Sequence, residues 1–237
     1  MNDLMLKKLI NGNRLRKHEG SHVMDRVYTY TKKEEVVNAI THGIGVGLSI
    51  AALVLMITNT VVNGATGRLA IVLIYGISML MLFTFSTLCH AFPEGKTKMV
   101  LELFDHTSIY LFIAGTYTPY AVIAIGGKTG YTLLALVWGL AFLGIIFKAF
   151  FLRKLMIIST LIYIVMGWMI VVAWEPLSQA VPPMGLQMLI YGGLLYTLGS
   201  IFYVWRGFPY HHAVWHLMVL VASILHFLSI FLYILPL

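Results

Sequence analysis

Charged side chains are scarce in this chain of 237 residues. Asp, Glu, Lys and Arg together make up 11% of it, whereas a soluble domain carries about 25%. Hydrophobic residues make up 59%. This composition excludes an ordinary soluble domain and predicts an integral membrane protein.

Cysteine occurs once, as Cys89, so the chain can form no internal disulfide. A leading apolar run is also missing from residues 1–36, and we therefore expect no cleavable signal peptide. The net charge is +7, but the basic residues occupy short loops and the N-terminal arm. That distribution is typical of membrane topology, and we expect no nucleic-acid partner.

Long apolar segments are what the chain has instead. A membrane-spanning helix needs about 20 mainly apolar residues. Seven segments qualify, at about 37–61, 67–89, 101–125, 130–151, 156–175, 184–205 and 212–235. Their connections are short, which predicts antiparallel neighbours in a single all-α, seven-helix bundle, a multi-pass protein of the cell membrane.

The predicted organisation is a basic N-terminal arm over 1–36 and a transmembrane domain over 37–237. Within the arm, Leu4, Leu6, Leu9 and Ile10 allow a short interfacial helix. A basic tail held near anionic lipid is an equally good interpretation.

Loop charge predicts the orientation. With a cytoplasmic N-terminus, fourteen Lys and Arg residues lie on the cytoplasmic side, and only Arg68 and Lys128 lie opposite. This asymmetry predicts a cytoplasmic N-terminus and an external C-terminus.

Four ionisable residues stand in these apolar segments: His90, Asp105, His212 and His216. Such residues are costly in a bilayer and usually functional. The predicted topology brings all four to the cytoplasmic rim, with Asp105 about one turn into the third helix. His212 and His216 are separated by four residues, as are Ser86 and His90, so each pair shares a helix face.

Three imidazoles and a carboxylate at one depth predict a metal site. Three protein ligands plus a water describe a catalytic zinc site better than a closed structural one. Zn²⁺ is favoured over copper or iron because no thiolate joins the set. Asp105 is expected to bind the metal directly or to hold and deprotonate its water, and Ser86 to orient a ligand or stabilise an oxyanion.

Simpler interpretations exist for each residue. An H-x-x-x-H pair at a helix end is often only polar and interfacial, and Asp105 can be a carboxylate favoured by a helix N-terminus. Cys89 is interpreted as a packing residue, whereas His106 and His211 are expected to anchor at the interface. His226 is expected to be a hydrogen-bonded interior histidine, with a smaller chance of lining a cavity.

Glu35, Asn38 and His42 recur at helical spacing at the start of the first segment. This polar stripe predicts helix capping, or else groups that support the metal ligands from behind or form a polar entrance to the site.

Four ordered stretches, EEVVNAITHGIG (34–45), STLCHAF (86–92), LFDHTSIYLFIAGTYTP (103–119) and HHAVWHLMVLVASILHF (211–227), carry a family resemblance. The chain resembles the hemolysin III family, the bacterial branch of the progestin and adipoQ receptor superfamily. The resemblance implies a zinc ion held by His90, His212 and His216, with Asp105 and Ser86 at the positions of the family's aspartate and serine. Cys89 replaces a tyrosine common in the family.

The superfamily is also similar to alkaline ceramidases, which implies hydrolysis of a lipid amide or a related bond. The leading expectation is therefore a zinc-dependent hydrolase of a lipid-like substrate, with Asp105 and Ser86 as catalytic residues. The alternatives are a non-enzymatic membrane sensor or regulator with a structural zinc and, with less support, a cytolytic protein.

Overall fold

The computed structural model describes residues 30–152 and 155–237. Seven long apolar helices fill these ranges, and the ranges contain no β-strand. The helices are α1 (Lys32–Val62), α2 (Thr66–Ala91), α3 (Lys96–Ile125), α4 (Gly127–Phe151), α5 (Met156–Ala180), α6 (Pro183–Val204) and α7 (His211–Ile234). Each is long and apolar enough to cross a bilayer, which confirms the predicted seven-helix, all-α membrane fold.

Two helices begin about five residues earlier than the apolar pattern predicts. At the start of α1 the Thr31 side chain accepts from the Glu34 N–H, and the Glu34 carboxylate accepts from the Thr31 N–H, forming a capping box. At the start of α3 the helix continues outward through Lys96, Lys98 and Glu102. Charged turns at a span's end can remain helical in the interface, so hydropathy alone underestimates helix length.

Three spans depart from regular α-helix. The α3 helix passes through Pro119 into a π-helical turn, Tyr120–Ile125. A 3₁₀ segment, Met169–Ala173, interrupts α5, and α7 ends in another π-helical turn, Ile230–Ile234. These irregular segments lie at or beyond the middle of their spans, away from the predicted site residues.

The packing order places α1 between α2 and α7, while α2 also contacts α3 and α7 also contacts α6. By contrast, α5 makes sparse contacts with α6. Small residues allow the close approaches: a Cβ at Gly45 would lie 2.3 Å from a ring carbon of Phe83, and one at Gly144 would lie 2.2 Å from a ring carbon of Tyr110. The helix that carries the polar stripe, α1, therefore packs against both the helix of His90 and the helix of His212 and His216.

Most of the predicted N-terminal arm, including Leu4–Ile10, lies outside the described residues, as do Arg153 and Lys154. The division at residue 36 and the orientation across the membrane stay predictions.

Candidate metal centre

A cavity of about 330 Å³ runs through the bundle. Its lining includes the three predicted ligands at one end, here called the triad end, and His226 at the other, the inner end. Apolar and aromatic side chains from α2, α3, α5 and α6 line most of the wall between them, among them Leu82, Phe112, Ile113 and Leu189. An apolar passage with polar groups concentrated near its ends can hold a lipid-like chain.

The structure brings His90, His212 and His216 together at the triad end. All three are buried, and one potential ligand nitrogen from each lies within 4.8 Å of the other two. The ring centroids of His212 and His216 are 4.4 Å apart, and that of His90 lies 5.0 Å from each. These three residues form a possible metal site between α2 and α7.

Hydrogen bonds to the outer ring nitrogens orient two of the three imidazoles. His90 Nδ1 donates to Glu35 Oε2 at 2.6 Å, and His216 Nδ1 donates to the Asn38 carbonyl at 3.1 Å. When Nδ1 carries the proton, Nε2 keeps its lone pair for a metal. The polar stripe of α1 therefore orients His90 and His216 through hydrogen bonds to their outer nitrogens, as is typical of histidines in metal sites.

The two adjacent glutamates of α1 contact both ligand-bearing helices. Glu35 bonds His90 and also forms an ion pair with Lys98 at the start of α3. Glu34 Oε1 accepts from the Tyr210 N–H at 3.0 Å, immediately before α7. Tyr210 has a left-handed backbone, with φ of 61°, so this bond helps to hold an otherwise unfavourable turn next to His211 and His212.

His42 is a further member of the site. Its ring stacks on His216 with a centroid separation of 3.5 Å, and its Nδ1 lies 2.7 Å from Ser86 Oγ. The polar stripe signalled a second shell, but helical spacing could not indicate which helix His42 faces. Thr31 and Glu34 form the N-terminal cap of α1. The interpretation of Glu35, Asn38 and His42 as capping residues is therefore wrong.

Ser86 and Asp105 lie at the same end of the cavity. Ser86 is buried, and the Asp105 carboxylate interacts with its hydroxyl. Asp105 is the tenth residue of its helix, about two and a half turns in, and the prediction of one turn was wrong because α3 begins at Lys96. At that depth the dipole of the helix N-terminus does not account for the carboxylate.

The remaining residues singled out by the sequence are interior. His211 is fully buried and bonds the Phe202 carbonyl at 3.0 Å, and His106 lines the cavity and contacts the Tyr203 hydroxyl, so interfacial anchoring was wrong for both. His226 Nε2 donates to the Leu189 carbonyl at 3.1 Å, as expected for an interior histidine, and it also lines the cavity. Cys89 is buried, and it also lines the cavity, so its interpretation as a packing residue stays a prediction.

The donor set fits a metal ion. His90 Nε2 and His212 Nδ1 are buried and have no hydrogen-bond partner among the residues that the structure describes. Unpaired buried lone pairs cost free energy, whereas a cation satisfies them. Three neutral imidazoles, one hydrogen-bonded to a carboxylate, are the ligands expected of zinc and are also compatible with other transition metals.

Comparison with known proteins places this geometry in a family. The family described as Haemolysin-III related matches residues 30–227. Hemolysin-3 of Bacillus cereus is 47% identical over 204 residues, 86% of this chain and 93% of that protein. The Hemolysin-3 homolog of Bacillus subtilis (strain 168) is 46% identical over 204 residues, covering 86% and 96%. The monocyte to macrophage differentiation factor of Homo sapiens is 30% identical over 166 residues, 68% of each chain.

The family match and the seven apolar helices together indicate a multi-pass protein of the cell membrane. With the matched region covering every described helix except the end of α7, the chain belongs to the haemolysin III related family.

Proposed function

We propose that this protein is a zinc-dependent hydrolase that acts on the amide or a related acyl bond of a lipid-like membrane substrate. The observation that carries the proposal is the position of the three histidines at one end of a long apolar cavity, beside a carboxylate and a hydroxyl. A substrate whose chain filled the apolar part would have its polar end at the histidines.

When bound, zinc would act as a Lewis acid and activate water. The positions of the protein groups support the following proposed roles. The Asp105 carboxylate lines the cavity beside Ser86 and is placed to accept a proton from the attacking water. The Ser86 hydroxyl lies between His42 and Asp105 and is placed to donate to the developing oxyanion.

Replacing Asp105 tests the hydrolase. We expect purified, zinc-loaded Asp105→Asn protein to retain its metal but to release fatty acid at least about 100-fold more slowly, because the asparagine amide is a poor proton acceptor. Release is measured by mass spectrometry on a lipid amide, a matched ester and a total lipid extract. Glu175→Gln, at an exposed carboxylate that does not line the cavity, is the control and should match wild type.

Normal turnover by the Asp105→Asn protein would contradict the role of the carboxylate. Absence of any product from wild type across the three substrates would contradict the hydrolase itself.

A structural metal is the second candidate, because the three ligands come from α2 and α7 and a bound ion would join these helices. Chelation should then lower the melting temperature without loss of any product. At a metal concentration 1,000 times the dissociation constant, binding contributes about 4 kcal/mol to the free energy of unfolding. A protein that loses both stability and product formation on chelation is a hydrolase with a metal that also stabilises it.

Lysis is a third candidate, which rests on the name Hemolysin-3 carried by two relatives. Release of dye from liposomes containing the purified protein tests it directly. Leakage that persists in the Asp105→Asn and His216→Ala variants would favour lysis over hydrolysis.

A further inference from the structure

Tyr30, immediately before the cap of α1, packs against the candidate metal site and lines the triad end of the cavity. Its ring centroid lies 5.0 Å from that of His212 and 5.9 Å from those of His90 and His211. These separations are typical of packed aromatic rings. One tyrosine ring therefore contacts both of the helices, α2 and α7, that supply the three candidate ligands.

A single buried carboxylate holds the backbone beside this ring. Glu34 Oε2 accepts from the N–H and from the hydroxyl of Thr31, both at 2.8 Å. Glu34 Oε1 accepts from the Tyr210 N–H at 3.0 Å. The residue that follows Tyr30 and the residue that precedes α7 are thus joined through one side chain, which fixes where the Tyr30 ring meets the start of α7.

His212 is the candidate ligand that most needs support from packing. Hydrogen bonds from Nδ1 to groups of α1 orient His90 and His216, whereas Nδ1 of His212 has no hydrogen-bond partner among the residues that the structure describes. Two tyrosine rings lie against it, Tyr30 at 5.0 Å and Tyr203 at 5.9 Å. Packing against neighbouring side chains can lock the rotamer of a ligand that no hydrogen bond orients.

Tyr30 is also the outermost of these rings. The cavity reaches the surface at the triad end, since the exposed Glu94 lines it. Tyr30 is partly exposed there, whereas His90, His212 and His216 are buried. The side chains that surround a metal site control the access of solvent to it. The ring of Tyr30 stands where it limits that access.

We infer that Tyr30 is a positioning residue of the candidate metal site: its ring holds His212 in place and covers the histidines at the opening of the cavity. The inference rests on the metal site of the proposed function and does not depend on hydrolysis. A metal ion held by the three histidines should then leave slowly, because the ring must move aside before solvent or a chelator reaches the site.

The rate of zinc release tests the inference. Purified, zinc-loaded full-length protein in detergent micelles is mixed with an excess of a chromophoric chelator, and the absorbance is followed with time. Tyr30→Ala is expected to release zinc at least about tenfold faster than wild type, because the cover and the packing on His212 are lost. Tyr30→Phe keeps the ring and should stay within about threefold of wild type.

Tyr131→Ala is the matched control. Tyr131 is exposed near the start of α4 and does not line the cavity, so its loss should leave zinc release unchanged. Wild-type release by Tyr30→Ala overturns the inference. Equal acceleration by Tyr30→Ala and Tyr30→Phe also overturns it, since the hydroxyl and not the ring would then be responsible. An equal fall in melting temperature with and without zinc would make Tyr30 a residue of the fold alone.

A second measurement needs neither metal nor substrate. Diethyl pyrocarbonate acylates accessible neutral imidazoles, and mass spectrometry of the fragments separates His212 from His211. In metal-free protein, Tyr30→Ala should be labelled at His212 at least about threefold faster than wild type, with His226 unchanged as the internal reference. Equal labelling of His212 in the two proteins overturns the covering role. Faster labelling in a protein that forms no product supports the role of Tyr30, and then only the proposed reaction fails.

Discussion

The two ends of the cavity carry histidines on the same helix, ten residues apart, with opposite hydrogen-bond arrangements. At the triad end, His216 donates through Nδ1 to the Asn38 carbonyl, so its Nε2 lone pair stays available. At the inner end, His226 donates through Nε2 to the Leu189 carbonyl. The same side chain is thus oriented as a ligand in one place and as an interhelical contact in the other.

The two ends also differ in how many of their buried polar atoms have hydrogen-bond partners. Near the inner end, Tyr120 donates to Ser229, which donates to the Gly185 carbonyl, and Tyr196 pairs with Ser223 at 2.8 Å. At the triad end, buried nitrogens of three clustered histidines, His42, His90 and His212, lack a partner within the described part of the chain, whereas at the inner end His226 Nδ1 is the one histidine nitrogen in that condition. A buried polar group whose bonds are complete stabilises a helix contact, whereas a cluster of incomplete ones indicates a ligand.

Removal of a ligand should separate the two ends most sharply. His216→Ala is expected to abolish stoichiometric zinc binding, because only two imidazoles remain. This loss is larger than the about 10–100-fold decrease in metal affinity that follows changes in residues hydrogen-bonded to the ligands. Metal content after dialysis, measured by elemental analysis, tests this expectation.

His226→Ala is the matched control, since it removes an imidazole from the same helix and cavity. It should keep its metal. Equal metal loss in the two variants would mean that the contrast between the ends is wrong.

Removal of the carboxylate behind His90 should have an intermediate effect. Glu35→Ala deletes the acceptor of the His90 Nδ1 proton and the partner of Lys98, and we expect zinc affinity to fall about 10–100-fold. Competition with a chromophoric chelator measures the affinity. Glu94→Ala, also within reach of Lys98 but exposed, should change it little, and equal losses would refute a specific role for Glu35.

A change at the inner end should have the smallest effect. Tyr120→Phe removes one buried hydrogen bond to Ser229 and should lower the free energy of unfolding by about 1 kcal/mol. Denaturation in detergent measures the stability, and metal content should stay at the wild-type value. A variant with normal stability but reduced zinc would place a function at the inner end.

The three histidines could be predicted because ionisable side chains are costly in a bilayer and are therefore rare in apolar segments. His90, His212 and His216 interrupt apolar segments, and the polarity of alternating spans predicts one depth for them. Whether the three side chains meet depends on which face of each helix points inward. In the structure, one potential ligand nitrogen from each histidine lies within 4.8 Å of the other two.

Other features were out of reach of the sequence pattern. The start of α3 was misjudged because Lys96 and Lys98 are helical outside the apolar core, and this moved Asp105 more than a turn deeper into its helix. The bond between Glu35 and His90 joins residues 55 apart in sequence, and no local periodicity reports such a pair. From the sequence, Lys148 was one of the basic residues used to predict the orientation. Hydropathy does not reveal that its side chain is buried in the bundle.

The sequence by itself determined the number of spans, the helical class and the identity of the candidate ligands, because apolar length and the cost of buried charge are local properties. The tertiary structure alone decided which nitrogen of His90 and of His216 is available, that α1 supplies the hydrogen bonds to these two rings, and that Lys148 shares the histidines' cavity. Those features depend on the rotation and pairing of whole helices, which packing determines and no single segment encodes.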